Sequence, residues 1–176
     1  MNAIFVYKSK YGSTRAYAEW ISEELDCEAI DAKNIKIDDL VKYDTIVYGG
    51  GLYAEVINGV ILITKNFEKL KDKKIAVYTT GITPIECRDY YDKMVIDKNF
   101  KDKEMLDNIR VFNFLGKMKL YELSLVHRTA LKTLKKIMSS KENPTDMEKL
   151  LVDLCDADDD FTDRNAIKEL VEYVIE

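Results

Sequence analysis

The apolar run Ala3-Ile4-Phe5-Val6-Tyr7 passes through one short turn, Ser9-Lys10-Tyr11-Gly12-Ser13-Thr14, into a helical pattern that begins near Thr14. Further β-rich runs recur between helical patterns along the chain, the signature of βαβ units that feed a parallel sheet. Strands are predicted at about Ala3 to Lys8, Glu28 to Ala32, Thr45 to Tyr48, Lys74 to Thr80 and Ile109 to Leu115. Helices are predicted from about Thr14 to Leu25, from Asn58 to Leu70 and from Glu86 to Leu106, the last broken at Asn99-Phe100-Lys101-Asp102 with Asp102 capping its second part. A final helix from about Asp163 to Ile175 turns Ile167, Leu170, Val171 and Val174 inward. Right-handed crossovers between five parallel strands give an α/β fold, a doubly wound sheet with helices on both faces. At 176 residues the chain is expected to form a single domain spanning 1–176.

The turn itself has the chemistry of an anion site. A helix that starts directly after a strand leaves its first backbone N–H groups without internal partners. Gly12 removes a side chain that would block close approach, and Ser9, Ser13 and Thr14 add hydroxyl donors, so the turn suits a phosphate. A strand-to-helix loop that binds nothing is the alternative. The third strand exits as Gly49-Gly50-Gly51-Leu52-Tyr53-Ala54, read as a flexible segment followed by an aromatic ring able to stack on a planar ligand. The fourth exits as Thr79-Thr80-Gly81-Ile82-Thr83-Pro84 on the same edge, where ligands of doubly wound sheets bind.

Composition narrows the classes. A net charge of -5 argues against general nucleic-acid binding. Cys27, Cys87 and Cys155 are widely spaced, with one histidine in the chain, which argues against a disulfide framework or a zinc site. No apolar run approaches bilayer length and no signal-peptide pattern opens the chain, so a cytoplasmic protein is expected.

After the fifth strand the charge splits. Lys117 to Lys141 holds seven Lys/Arg against Glu122, a net of +6, with Leu120, Leu123, Leu131, Leu134 and Ile137 at helical spacing. Glu142 to Asp163 holds nine acids against Lys149, a net of -8. The basic amphipathic helix is read first as a helix that packs on the sheet with its lysines in water, with peripheral contact to an anionic membrane or an acidic redox partner as the alternative. His127 is a candidate proton donor, or a surface residue. The Asp156-Ala157-Asp158-Asp159-Asp160-Phe161 run is not a calcium loop, because Phe161 replaces the required Gly and Ile167 the bidentate Glu.

The turn after the first strand, the aromatic-bearing loop after the third and the five-stranded layout together resemble the flavodoxin family over nearly the whole chain. The usual flavodoxin turn is closer to T-x-T-G-N-T; here Tyr11 and Ser13 stand where Thr and Asn are typical. The resemblance implies that Ser9, Lys10, Tyr11, Gly12, Ser13 and Thr14 hold the phosphate of FMN, and that Gly50, Gly51, Leu52, Tyr53, Thr80 and Gly81 border its isoalloxazine. Within the family the chain looks most similar to the branch with menaquinone-dependent protoporphyrinogen oxidases, through Ser9 to Arg15 and the segment Phe114 to Leu120 leading into the basic helix. The implied function is electron transfer through bound FMN to a redox partner protein or a small-molecule acceptor. The alternatives are an oxidoreductase of the protoporphyrinogen oxidase type acting with a quinone, and a scaffold of this fold without cofactor.

Overall fold

Why the predicted strands assemble in one order follows from their burial, seen in a computed structural model that describes residues 2–176. Along the chain come β1 (Ala3–Lys8), α1 (Ser13–Leu25), β2 (Ala29–Asp31), α2 (Ile37–Leu40), β3 (Thr45–Tyr53), β4 (Val56–Ile57), α3 (Ile61–Thr64), α4 (Phe67–Leu70) and β5 (Lys74–Gly81). A π-helical turn (Tyr90–Val95) precedes α5 (Ile96–Asn99), α6 (Lys103–Asn108) and β6 (Ile109–Leu115). Then follow β7 (Lys117–Lys119), α7 (Leu125–Ser139), α8 (Asp146–Leu154), β8 (Asp158–Asp160), a 3-10 turn (Arg164–Ile167) and α9 (Lys168–Ile175).

The main sheet runs β2-β1-β3-β5-β6, all parallel, with β4 added antiparallel to β3. Alternate residues serve opposite layers, as the two-residue period of a strand requires. Ile4, Val6, Ile46, Tyr48, Ile75 and Val77 face Leu40, Ile63, Phe67, Leu70 and the π-helical turn. Phe5, Val47, Ala76 and Tyr78 face α1, the 3-10 turn and α9. The strands are buried on both faces, which is why they read as continuous apolar runs.

Several predicted elements differ from the observed ones. The triple glycine is not a flexible loop but part of β3. A side-chain carbon on Gly49 would stand 2.0 Å from the Tyr78 ring, and one on Gly50 would stand 2.6 Å from Ile57 and 2.8 Å from the Asn58 carbonyl, so these glycines permit close packing. The predicted helix Asn58–Leu70 is two short helices after a hairpin, because the β-branched run from Val56 favours extended backbone first. Ala54 (φ 49°) and Glu55 (φ 62°) form the left-handed tip of that hairpin, held by Lys98 on the Ala54 carbonyl and Asn99 on the Glu55 carbonyl. In the predicted Glu86–Leu106 helix the break at Asn99 is present, but Asp102 makes no side-chain cap.

The region after β6 departs most. The opposite charges of its two halves are brought together: β7 and β8 pair antiparallel, with Lys117 opposite Asp160 and Lys119 opposite Asp158. Lys135 and Lys141 of the α7 arm bond Asp156 and Glu148. The apolar face of α7 does not pack on the sheet; neither buried core cluster includes a residue of α7 or α8.

Tyr17, fully buried, ties α1 to two later segments: its hydroxyl donates to the Leu115 carbonyl (2.8 Å) and accepts from the Asp163 N–H (3.0 Å). Tyr17→Phe keeps the ring but strands both partners, so chemical denaturation should show a loss of about 1–3 kcal/mol. A loss below about 0.5 kcal/mol would show that water replaces the hydroxyl there.

Candidate functional site

The carboxyl ends of β1, β3 and β5 and the exit of β6 meet at one edge, where the strand order reverses about β1. Gly12 sits there with φ 94°, in the left-handed region that favours glycine, and its N–H donates to Ser9 Oγ (3.2 Å). α1 therefore begins with no side-chain cap and no acid in its first turn, leaving its leading donors aimed at the edge. Lys117 Nζ lies 3.2 Å from the point a Gly12 side-chain carbon would occupy, so an ammonium group stands over the turn. Ser13 Oγ accepts from the Lys117 N–H (3.0 Å) and keeps its own hydrogen to donate. Thr14 Oγ1 and Thr80 Oγ1 lie 2.7 Å apart, which joins the turn to the end of β5.

The Tyr11 hydroxyl is engaged by residues at the start of α7. The oxygen accepts from the Ser124 N–H (3.2 Å) and lies 2.9 Å from His127 Nδ1, which anchors the start of α7 to the turn. Its ring meets Tyr53 edge-on at 6.1 Å, and the Tyr53 ring stands 4.9 Å from His127. Burial pushes the Tyr11 phenol up, but hydrogen bonds with Ser124 and the charge of Lys10 outweigh it, and the net shift is downward. Burial pushes Tyr53 up to about 12, so it stays a neutral phenol. Burial and then Lys10 hold His127 below its ordinary value.

Over this edge the α7–α8 hairpin forms one side of a partly open cavity of about 760 Å³. Of the residues singled out in the sequence, Tyr11, Ser13, Thr14, Gly51, Leu52, Tyr53, Thr80 and Gly81 line it. Ser9, Lys10 and Gly12 belong to the turn behind that lining, and Gly50 is withdrawn from it, packed against Ile57 and Asn58. Sequence reasoning missed Lys117, whose ammonium reaches the turn from β7, and the apolar contribution of α7 and α8, including Leu131, Met138 and Leu151. The opposite charges on either side of Glu142 were visible in the sequence but did not mark a hairpin, and nothing local marked Lys117.

A family model described as a flavodoxin domain matches residues 4–148. Among solved structures the chain is similar to a flavodoxin from the domain Archaea, at 17% identity and a TM-score of 0.45 over 88% of this chain and 96% of that one. It is similar to a WrbA-like flavodoxin from Agrobacterium tumefaciens at 18% identity and 0.42, covering 88% and 94%. It is also similar to a metal-soaked Flv1 flavodiiron core from Synechocystis sp. PCC6803 at 14% and 0.41, covering 88% of this chain and 35% of that one. No curated protein matches it.

The depressed His127 has a sign that can be checked. A folded-state pKa below the unfolded value means that the unfolded chain binds the extra proton first, so stability falls as pH drops through about 6.5. Denaturation midpoints should fall more between about pH 7.5 and 5.5 in the wild type than in His127→Gln. Equal falls would show that His127 titrates alike in both states.

Proposed function

The chain belongs to the flavodoxin domain family, and from that premise we propose that it binds FMN and passes electrons through it to or from a small molecule held under the α7–α8 hairpin. The observation that carries this reading is the uncapped start of α1 with Lys117 beside it, opening on one cavity that also holds Tyr53. The residues present fit the cofactor: α1 donors, the Ser13 hydroxyl and the Lys117 ammonium suit a phosphate dianion, and the neutral Tyr53 ring suits a flat heterocycle. FMN, when bound, supplies the capacity to take up and release one or two electrons.

The chain's own residues position, dry and protonate the site. Tyr11 and Ser124 hold the start of α7 in place, and the hairpin restricts water at the reacting edge. His127 is the imidazole at this edge and the side chain suited to proton exchange with a ligand; Tyr11 engages Nδ1, which leaves Nε2 for the exchange. A covered edge favours an oxidoreductase acting on a bound small molecule over a carrier that docks its flavin edge on another protein. The protoporphyrinogen oxidase type, acting with a quinone, is the narrower form of this reading, and turnover with each substrate by purified protein separates the two. A scaffold without cofactor would leave flavin unbound.

The exposed side of α7 and of the turn before it supports a second contact. Tyr121, Leu125 and Val126 are 83%, 77% and 74% exposed, α7 contains no acid, and Lys132 and Lys136 make no ion pair among the described residues. Apolar side chains flanked by free ammonium groups suit an anionic bilayer surface. Sedimentation with vesicles containing phosphatidylglycerol should carry the protein down at low salt, and Leu125→Asp with Val126→Asp should abolish it. Equal sedimentation with neutral vesicles, or none with either, would remove the contact.

The phosphate assignment separates FMN from riboflavin, which has the same ring and no phosphate. Lys117→Met should weaken FMN binding about tenfold or more and leave riboflavin unchanged, read by flavin fluorescence. A parallel loss for both flavins would displace the phosphate from this turn, and no FMN binding by the wild type would leave the scaffold reading.

A further inference from the structure

The β3–β4 hairpin turns through two residues poorly suited to the task. A two-residue connection with both central residues left-handed favours Asn and Gly, yet Ala54 (φ 49°) and Glu55 (φ 62°) occupy it here, each with a side-chain carbon that crowds the following carbonyl. β4 pairs with β3 over two residues only, Ile57 with Leu52 and Val56 with Tyr53, and so short a ladder does little to impose the turn. Backbone of this kind persists where the surroundings fix it.

Two consecutive residues at the end of α5 supply that fixing. Asn99 is buried; its Oδ1 accepts from the Ile57 N–H (2.9 Å), and its Nδ2 donates to the Glu55 carbonyl (2.6 Å) and the Val95 carbonyl (2.7 Å). The Lys98 ammonium donates to the Ala54 carbonyl (2.8 Å) and pairs with the Glu55 carboxylate (2.9 Å). Both left-handed residues are therefore held by their carbonyls. The third Asn99 bond reaches the last residue of the π-helical turn, which Tyr91 in its turn ties to the exit of β5 by donating to the Thr83 carbonyl (2.5 Å). Hairpin and π-helical turn face one cavity, the first through Tyr53, Ala54 and Glu55 and the second through Tyr90 and Met94. An Asn carries a donor pair and an acceptor on one short side chain, which is what joining two carbonyls and an N–H at one point requires.

We infer that Asn99, assisted by Lys98, is a positioning residue of the site: it clamps the strained hairpin tip to the π-helical turn and so keeps Tyr53 in the cavity wall, 4.9 Å from the His127 ring and 6.1 Å from the Tyr11 ring. The clamp's effect on a cofactor rests on the flavin reading above; its hold on Tyr53 does not.

The chain's single histidine is a built-in reporter, because the Tyr53 ring current shifts the His127 ring-proton resonances and no other imidazole overlaps them. In the full chain at about pH 8, where the imidazole is neutral, Asn99→Ala should move these resonances toward their positions in Tyr53→Leu. Adding Ala54→Asn and Glu55→Gly, a pair that adopts the left-handed turn unaided, should bring them back without restoring the bonds of Asn99. A merely structural Asn99 would show no such rescue. Lys98→Met removes an exposed side chain and should give a smaller shift in the same direction, which keeps the test open if Asn99→Ala does not fold. Resonances unmoved in both variants, or moved and not restored by the Asn-Gly turn, would overturn the clamp. FMN titration of the same samples should show binding about tenfold weaker in Asn99→Ala and recovered with the Asn-Gly turn. Wild-type protein that binds no FMN would sink the flavin reading while the histidine resonances still report the clamp; FMN affinity unchanged where those resonances move would overturn the role of Asn99 at the site.

Discussion

The site depends on a backbone stitch where β6 ends. The Gly116 N–H donates to the Gly81 carbonyl (2.7 Å), the Lys117 N–H donates to Ser13 Oγ (3.0 Å), and the Gly116 carbonyl accepts from the Phe161 N–H (3.2 Å). Three bonds within two residues thus join the exit of β5, the start of α1 and the strand returning from the acidic segment. A side-chain carbon at Gly116 would stand 3.2 Å from Ser13 Oγ, a tight contact that would press on the hydroxyl the Lys117 N–H uses. Because the stitch carries Lys117 past Gly12, the same contact that seats β7 also brings the ammonium group to the turn that begins α1.

Tyrosine hydroxyls do comparable work inside the sheet layers. Tyr78 donates to the Thr14 carbonyl (2.9 Å) and Tyr17 to the Leu115 carbonyl, joining elements distant in sequence, and Tyr48 donates to the Asn58 carbonyl (2.8 Å) just past the β3–β4 hairpin. Buried carbonyls at element ends need such partners, and a tyrosine supplies one while its ring fills core volume. Burial raises the phenol of each of the three, so these bonds stay neutral donors across the working pH range.

Much of this was legible because the core strands are continuous apolar runs. The five parallel strands and the helix after the first turn follow from that pattern, and Gly12 was read as allowing close approach, its left-handed backbone emerging only in the structure. What failed to show has a common cause: it depends on partners far along the chain. Gly49 and Gly50 look like a flexible loop until Tyr78 and Ile57 are brought beside them. Tyr11 looks like a phosphate contact until Ser124 and His127 arrive to occupy its hydroxyl. The stripe on α7 reads as sheet packing, because helical periodicity records an apolar face and not what it faces. The opposite charges after β6 were visible, but their pairing in a ribbon and a hairpin is set by register, which local propensity does not encode.

The marginal attachment of the hairpin gives the molecule two levels of cooperativity. The sheet and its two helical layers share buried clusters and must unfold together, whereas the segment from Leu120 to Ala157 is tied down by a three-residue ribbon, exposed ion pairs and one phenol. So few buried contacts predict that its amides exchange through a sub-global opening of lower free energy than global unfolding, one that would uncover the cavity while the turn that begins α1 stays folded. Traffic into the site and survival of the fold are therefore governed by different barriers.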